Sequence, residues 1–248
     1  MSISQFVENT IITIRVCNMK EKIVVGDIHG SLKLLDKVLN YVKDYNPEDV
    51  IFLGDYVDRG KESKQVLEKL MQTNYLCLMG NHDNMLLDFV DNGDMLSVYN
   101  DWDMATIRSY FPNMENVFYD GGHNIYAIES NGTISRMNDT IRYKLKDEPT
   151  IEWLRKRFYM MEDKENIYVH AGLDLSLLEP RKTSNDEMIW HRPNYELENN
   201  TGKNIVVGHT IVDEIHKTKN GIIMCDCGNS FKDTAFVWST TRGVIRCD

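Results

Sequence analysis

KIVVGDIHGSLKLLDKVL, residues 22–39, is the stretch that decides the fold, because a buried strand in it runs straight into ionisable residues. The segment from Ile23 to Gly26 is apolar or small, as expected of a short strand in a protein core. Asp27 and His29 follow immediately. A charge at the end of a buried strand is unfavourable unless a partner compensates it. These two residues therefore indicate a site.

A helix is predicted after this strand, and the strand–helix pattern recurs twice. Leu35, Val38, Leu39 and Val42 recur at helical spacing, and Ser31 is placed to cap the first turn. DVIFLGDYVDRG (49–60) precedes the helical ESKQVLEKLM (62–71), and YLCLMGNHDNML (75–86) gives a third strand. Apolar strands that alternate with amphipathic helices predict parallel strands joined by right-handed crossovers. The polar residues then meet at one sheet edge, beyond the carboxyl ends of the strands.

The alternation of strands and helices becomes irregular in residues 91–165, which we interpret as an insertion over the sheet edge. This segment contains two predicted helices, DMATIRSYF (103–111) and TIEWLRKRFYMM (150–161), and the Gly-rich turn YDGGHNIYAI (119–128). Strands return afterwards: NIYVHAG (166–172), NIVVGHT (204–210), GIIMCDCGN (221–229) and TAFVWST (234–240). We expect one domain over residues 1–248, with residues 1–21 as an N-terminal extension.

Composition excludes several protein classes. The chain has 248 residues, 42% of them hydrophobic, which suits one α/β domain. The formal net charge of -10 argues against a general nucleic-acid binder. No run approaches the roughly 20 apolar residues of a membrane span. The N-terminal segment does not resemble a signal peptide. Five cysteines, an odd number, fit reduced thiols, and we expect a cytoplasmic protein.

The polar residues at the strand ends form one chemical set. Six of them offer oxygen or imidazole ligands without a thiolate: Asp27, His29, Asp55, Asn81, His170 and His209. This mixture suits a pair of divalent ions such as manganese, iron or zinc. Two ions about 3.5–4 Å apart can activate a shared water and stabilise the attacking and leaving oxygens of phosphoryl transfer. The sequence therefore predicts two divalent ions, with manganese preferred, and phosphoryl chemistry.

The order of the motifs resembles the metallophosphatases of the phosphoprotein phosphatase family, especially the compact bacterial and bacteriophage members. GDIHG, GDYVDRG, GNHD, HAG and GHT occur in that order, and EMIWHRP and MCDCGN are also similar to family stretches. The resemblance runs from about Lys22 onward. It implies the α/β metallophosphoesterase fold, in which two central mixed β-sheets are flanked by helices in an αββα sandwich.

The resemblance also implies a role for each motif residue. Asp27, His29 and Asp55 would hold the first metal, and Asp55 would bridge to the second, which Asn81, His170 and His209 complete. His82 would protonate the leaving alkoxide as the general acid, with Asp58 to orient it. Arg59 and Arg192 would clamp the phosphoryl group, because a guanidinium fits phosphate oxygens bidentately. Asn81 and His82 would point apart because they are adjacent at an extended strand end.

Two departures from the family pattern need a structural answer. The third motif reads GNHD where eukaryotic protein phosphatases carry GNHE, so Asp83 favours bacterial relatives, including the symmetrical dinucleoside tetraphosphatases. Cys225 and Cys227 flank Asp226 where relatives often read Asp-Thr-Gly, and we place both cysteines in an apolar strand. Neither departure is expected to touch a ligand.

Three functions are consistent with the sequence. The first is a metal-dependent serine/threonine protein phosphatase, whose partner is a phosphorylated protein or a small phosphoester. The second is a symmetrical dinucleoside tetraphosphatase, which would use the same metals on a phosphoanhydride. The third is a metal-stabilised binding protein without catalysis. The presence of His82, Asp58 and Arg59 disfavours the third function, because a binding module needs no general acid.

Overall fold

Strand β1 (Ile23–Val25) occupies the middle of the first of two central sheets. The computed structural model describes residues 21–96, 104–112, 117–121, 124–128, 131–192, 194, 196–232 and 234–248. The sheet contains β2 (Val50–Phe52), β3 (Leu76–Cys77), β12 (Ala235–Ser239) and β13 (Gly243–Cys247), in the order β13-β12-β1-β2-β3. The first three strands of the chain are parallel, as predicted, whereas β12 and β13 are antiparallel to their neighbours.

The second central sheet is also mixed. It consists of β7 (Met160–Glu162), β8 (Asn166–Val169), β9 (Asn204–Val207), β10 (His216–Lys217) and β11 (Ile222–Met224), in the order β10-β11-β9-β8-β7. Strands β8, β9 and β11 are parallel, and antiparallel strands lie at both edges. Each sheet thus contains three adjacent parallel strands whose carboxyl ends can carry ligands, although the first sheet has both of its antiparallel strands on one side.

The two sheets pack face to face through apolar side chains. Consecutive residues of a strand point to opposite faces. Val24 and Ile51 of the first sheet therefore contact Tyr168, Val206 and Ile223 of the second in one buried cluster. The neighbours of Val24 in β1 point the other way, into the core beneath the helices. Both faces of β1 are buried, which explains why its sequence is continuously apolar.

Helices cover the outer faces of the sandwich. The described helices are α1 (Leu32–Val42), α2 (Ser63–Met71), α3 (Asn81–Asn92), α4 (Ala105–Tyr110), α5 (Asn138–Lys146), α6 (Pro149–Leu154) and α7 (Asn185–Trp190). Leu35 of α1 and Leu86 of α3 are buried against the first sheet, and Met188 of α7 is buried against the second. Ser31 caps α1 as predicted, since its hydroxyl accepts the Leu34 amide at 3.3 Å. The predicted layering of helices around two central mixed sheets is confirmed.

Besides β7, which belongs to the second central sheet, the predicted insertion over residues 91–165 contains α4, α5, α6 and a small antiparallel sheet. This sheet consists of β4 (Val117–Tyr119), β5 (Ile125–Ile128) and β6 (Ile134–Arg136). Val117, Ile125 and Ile141 belong to the same buried cluster as the helices over the first sheet. The N-terminal extension lies outside the described residues except for Glu21, and parts of the insertion, including residues 122–123 of the Gly-rich turn, also lie outside them.

Two sequence predictions of secondary structure need correction. The helix predicted over residues 150–161 ends at Leu154, and Met160 begins strand β7. Phe158 accepts the Met79 amide at 2.8 Å, which draws this segment towards the first sheet in place of a longer helix. The strand predicted over GIIMCDCGN ends at Met224, so Cys225 and Cys227 lie in the turn after it. Both cysteines are buried. None of the helices in the described residues combines the length and the apolar character that a membrane crossing requires.

Candidate active site

The six predicted ligands converge where the parallel strands of both sheets end. They are Asp27 and His29 after β1, Asp55 after β2, Asn81 after β3, His170 after β8 and His209 after β9. His29 Nε2 lies 3.6 Å from both Asp27 Oδ2 and Asp55 Oδ2. His170 Nε2 lies 3.4 Å from the other carboxylate oxygen of Asp55. Asp55 therefore stands between two groups of imidazole ligands.

Asn81 completes the second group. Its Oδ1 atom lies 3.0 Å from His170 Nε2 and 2.9 Å from His209 Nδ1. Because an amide oxygen is a hard donor, this position suits a divalent cation that imidazoles also bind. The predicted second set of ligands is thus gathered at one point.

Backbone carbonyls orient two of the imidazoles. His29 Nδ1 is 2.9 Å from the Val57 carbonyl oxygen, and His170 Nδ1 is 3.0 Å from that of Leu53. A carbonyl only accepts, so Nδ1 carries the proton and Nε2 is left as the ligand atom in each ring. The bond from His170 to Leu53 also joins the second sheet to the first across the site.

The donor set fits metal binding on its own geometry. His29 Nε2 is buried and has no hydrogen-bond partner, although a buried polar atom normally has one. The ligand atoms of Asp55, His170 and His209 lie within 4.8 Å of one another, and so do those of His29, Asp55 and His82. A cation is the partner that such buried nitrogen and carboxylate atoms lack.

The electrostatics of the cluster also favours a bound cation. Burial alone would raise the pKa of Asp55, but His170 and His82 outweigh it and hold that pKa well below the ordinary value. Burial alone would lower the pKa of His170, yet Asp55 and Asp27 raise it to about 9. Burial and the neighbouring His170 lower the pKa of His209 to about 4. The Asp55 and Asp27 carboxylates favour a second proton on His170, at Nε2, and a bound metal would take the place of that proton.

His82 and Asp58 form a buried pair beside the ligands. His82 Nδ1 is 2.7 Å from Asp58 Oδ2, which leaves Nε2 as the ring nitrogen able to give up a proton. Burial alone would lower the pKa of His82, but Asp55 and the hydrogen bond with Asp58 outweigh it and raise the pKa. A raised pKa keeps this imidazole protonated, as a proton donor requires.

The adjacent residues Asn81 and His82 are separated by helix geometry. They are the first two residues of α3, so the predicted extended strand end is wrong here. Successive side chains of an α-helix are about 100° apart, which lets Asn81 face the ligands while His82 faces Asp58. The predicted divergence of the two side chains holds, although its cause is a helix start.

The two predicted arginines lie near the imidazoles of the site, Arg59 near His82 and Arg192 near His209. The Arg59 guanidinium carbon is 5.5 Å from the centroid of the Phe231 ring, and Arg192 is exposed on the turn after α7. Arg192 contributes to the lowered pKa of His209, which places its charge near that ligand. Cations beside the cluster suit an incoming phosphate group.

Backbone strain is concentrated at the site. Six described non-glycine residues have a positive φ: His29, Asp55, Asp58, Arg59, Met104 and His209. All except Met104 are predicted site residues, with φ between 45° and 68°. This left-handed conformation is unfavourable for residues with a Cβ and persists where surrounding contacts enforce it. The side-chain contacts of the site therefore impose the backbone conformation of the strand ends.

Asp83 contacts Asp55, one of the six predicted ligands, contrary to the sequence prediction. Its Oδ2 atom accepts the amides of Asp55 at 2.8 Å and Gly80 at 3.0 Å, and its Oδ1 atom accepts the Tyr56 amide at 2.9 Å. The GNHD departure thus supports the left-handed turn at Asp55. Asp226, between the two cysteines, is also buried and interacts with Asp27.

The Asp83→Ala variant is expected to have a free energy of unfolding lower by about 3 kcal/mol or more, because three buried amides each lose their acceptor at about 1–3 kcal/mol apiece. Urea denaturation measures this change. Asp36→Ala, which removes an exposed carboxylate paired with Lys69, is the control and should change stability by less than about 1 kcal/mol. Equal effects of the two variants would contradict a bracing role for Asp83.

Two hydroxyl residues next to Asp58 cannot be identified from the sequence. Thr106 of α4 donates to Asp58 Oδ1 at 2.7 Å, and Ser63 at the start of α2 lies 2.9 Å from the Thr106 hydroxyl. Nothing in the sequence singles out Thr106, because it lies in the insertion, 48 residues from Asp58. Only the packing of α4 on α2 brings it there.

Comparison with known proteins agrees with this geometry. The profile of the calcineurin-like phosphoesterase family matches residues 23–228. Serine/threonine-protein phosphatase 2 of Escherichia coli (strain K12) is 40% identical over 72 residues, 29% of this chain and 33% of that protein. Serine/threonine-protein phosphatase 2 of Salmonella typhimurium is 38% identical over 73 residues, again 29% and 33%. These matches span a third of the relatives' length.

Solved structures extend the likeness to nearly the whole chain. The crystal structure of a candidate diadenosine tetraphosphatase has a TM-score of 0.62 at 16% identity, covering 94% of this chain and 96% of that one. The crystal structure of a point mutant of a cold-active protein tyrosine phosphatase has a TM-score of 0.58 at 16% identity, covering 96% and 80%. At such identities the likeness shows the fold, and the predicted metallophosphoesterase fold is confirmed.

Proposed function

The chain belongs to the calcineurin-like phosphoesterase family, and on that premise we propose that it is a serine/threonine protein phosphatase that hydrolyses phosphate monoesters. The observation that carries the proposal is the His82–Asp58 pair beside the carboxylate and imidazole cluster. A proton donor next to metal ligands suits the departure of a basic alkoxide, which is the leaving group of phosphoserine.

Two divalent ions would be held by the six converging residues, Asp27, His29, Asp55, Asn81, His170 and His209. The ions would activate a water molecule and neutralise charge on the phosphoryl group. Manganese, iron and zinc are the candidates, because oxygen and imidazole donors without thiolate suit all three. Manganese is our first choice among them. The family implies divalent metal ions, and the donor chemistry here is consistent with that.

Three further residues of the chain would bind the phosphoryl group and protonate the leaving oxygen. Arg59 and Arg192 would bind the non-reacting phosphoryl oxygens, a role supported by the charge of Arg59 near His82 and that of Arg192 near His209. His82 would give its Nε2 proton to the leaving oxygen while Asp58 holds the ring. A phosphorylated protein or a small phosphoester would be the partner.

The proposed compartment is the cytoplasm. Cys77, Cys225, Cys227 and Cys247 are buried free thiols, as a reducing environment would keep them.

A second candidate, a symmetrical dinucleoside tetraphosphatase, has one specific feature in its favour. The third motif reads GNHD, and Asp83 of this motif braces the Asp55 turn. That activity would use the same metal ligands and cut a phosphoanhydride. A metal-stabilised binding protein without catalysis is disfavoured by the buried His82–Asp58 pair.

One experiment separates these candidates. Turnover of phosphoserine peptides, p-nitrophenyl phosphate and diadenosine tetraphosphate is compared under one set of manganese conditions. We expect kcat/KM on the best phosphopeptide to exceed that on diadenosine tetraphosphate by about tenfold or more, a difference of about 1.4 kcal/mol in transition-state stabilisation. The reverse order would favour the tetraphosphatase. No turnover of any substrate in metal-loaded protein would favour the binding protein.

A further inference from the structure

Asp58 has hydrogen-bond partners besides His82. Its side chain is fully buried, with Oδ2 bonded to His82 and Oδ1 accepting the Thr106 hydroxyl at 2.7 Å. The Asp58 backbone amide lies 2.9 Å from the same Thr106 oxygen and 3.2 Å from Ser63 Oγ. One threonine thus contacts both the carboxylate and the backbone of the residue that orients His82.

This contact fixes a strained turn. Asp58 and Arg59 have φ values of 68° and 67°, in the left-handed region that residues with a Cβ rarely adopt. Such a conformation persists only where surrounding contacts over-determine it. Thr106 is 1% exposed and Ser63 is fully buried, so the hydroxyl pair is shielded from water and its hydrogen bonds are strong.

We propose that Thr106 is a positioning residue for proton donation by His82, so that α4 of the insertion holds the Asp58–His82 pair in its reactive geometry. This inference rests on the proposed function. Thr106 reaches the His82 ring indirectly, because its hydroxyl binds the carboxylate that binds the ring. It acts through Asp58, and Ser63 supports it from α2.

The step that depends on this geometry is the departure of the leaving group. A water oxygen forms a bond to phosphorus, and the bond from phosphorus to the seryl oxygen breaks. The seryl oxygen takes the proton from His82 Nε2, and the attacking water releases one proton to solvent. His82 then regains a proton from solvent, and the products are the serine hydroxyl and inorganic phosphate. If Asp58 rotates, His82 is misaligned, and the leaving oxygen must depart as an alkoxide. p-Nitrophenolate is a stable anion and needs this proton much less.

A buried threonine with hydrogen bonds can also be merely structural, and the chain provides a matched control. Thr150 of α6 is likewise 1% exposed, and its hydroxyl lies 2.7 Å from the Tyr110 hydroxyl on the same helix α4. Thr150→Val removes a buried hydroxyl from the packing of α4 but leaves the Asp58 contacts in place. Any general loosening of α4 should appear in both variants.

The experiment measures kcat on a phosphoserine peptide and on p-nitrophenyl phosphate for wild type, Thr106→Val, Thr106→Ser and Thr150→Val, all loaded with manganese. For Thr106→Val we expect kcat on the phosphoserine peptide to fall by about tenfold, because the Asp58 carboxylate loses the hydroxyl donor that orients it, and kcat on p-nitrophenyl phosphate to fall much less. Thr106→Ser should recover most of the loss, because it restores the hydroxyl. Metal content should stay at the wild-type value.

Two results would overturn the inference: a fall in Thr106→Val that is equal on both substrates, or one that Thr150→Val reproduces. If Thr106→Val does not fold, Ser63→Ala is measured in its place, since it weakens the same contact from the other side. Ser63→Ala should also lower kcat more on the phosphoserine peptide than on p-nitrophenyl phosphate. If it does not, the inference is refuted. A wild type that does not turn over the phosphopeptide would instead refute the proposed function, so the two failures are distinguishable.

Discussion

His82→Asn is expected to lower kcat on a phosphoserine peptide by roughly 10²- to 10⁴-fold, which is the usual contribution of a positioned proton donor. The loss on p-nitrophenyl phosphate should be smaller, because its leaving group is stable without a proton. The reason lies in the geometry, since His82 is bonded to Asp58 through Nδ1 and keeps Nε2 for the leaving oxygen. Steady-state kinetics on both substrates, under conditions where chemistry limits both rates, tests this.

The control for His82→Asn is metal content, because His82 also lies within 4.8 Å of ligand atoms of His29 and Asp55. Both metal ions should be retained in the variant when it is measured by inductively coupled plasma mass spectrometry. Loss of a metal would show that His82 is a ligand, and equal losses of kcat on the two substrates would show that it is not the general acid.

Asp55→Asn is expected to lower the occupancy of both metal positions and to reduce activity by more than about 100-fold, a larger loss than outer-shell changes usually give. The Asp55 carboxylate lies 3.6 Å from His29 Nε2 on one side and 3.4 Å from His170 Nε2 on the other. A neutral amide at this point removes the negative charge that both cations would share. Metal analysis of protein kept from chelators should give close to two ions per chain for the wild type.

The matched control for this variant is Asp36→Asn, which neutralises an exposed carboxylate on α1 and should leave the metal content at the wild-type value. A wild type with almost no metal and full activity would refute the metal site. An Asp55→Asn variant that loses only one of the two ions would show that Asp55 does not bridge them.

The positions of the ligands could be predicted from the sequence because each follows a buried strand directly. An apolar run such as Ile23–Val25 reports a strand locally, and the parallel arrangement then brings Asp27 and Asp55 to one edge. The return of strands after the insertion likewise places His170 and His209 together at the carboxyl ends of β8 and β9, in the second sheet. Local pattern and topology are sufficient for this part of the site.

The supporting residues could not be predicted, because their roles come from contacts between distant segments. Thr106 resembles any polar helix residue in the sequence, and only the packing of α4 against α2 brings it to Asp58. Asp83 resembles a helix cap, and its capture of the Asp55 and Tyr56 amides depends on a left-handed turn that no local pattern signals. The helix predicted over residues 150–161 is too long because apolar spacing does not show where tertiary pairing begins.

The order of strands in the first sheet has a consequence for biosynthesis. Strand β1 lies between β2 and β12, so one of its edges is paired by residues 235–239, which leave the ribosome more than 200 residues after it. Until then the nascent chain carries an apolar strand with one unpaired edge, a template for association with other chains. His209, too, emerges late. The set of six proposed ligands is therefore complete only after most of the chain has been synthesised, and a ribosome that stalls before β12 would release a product for chaperones or proteases.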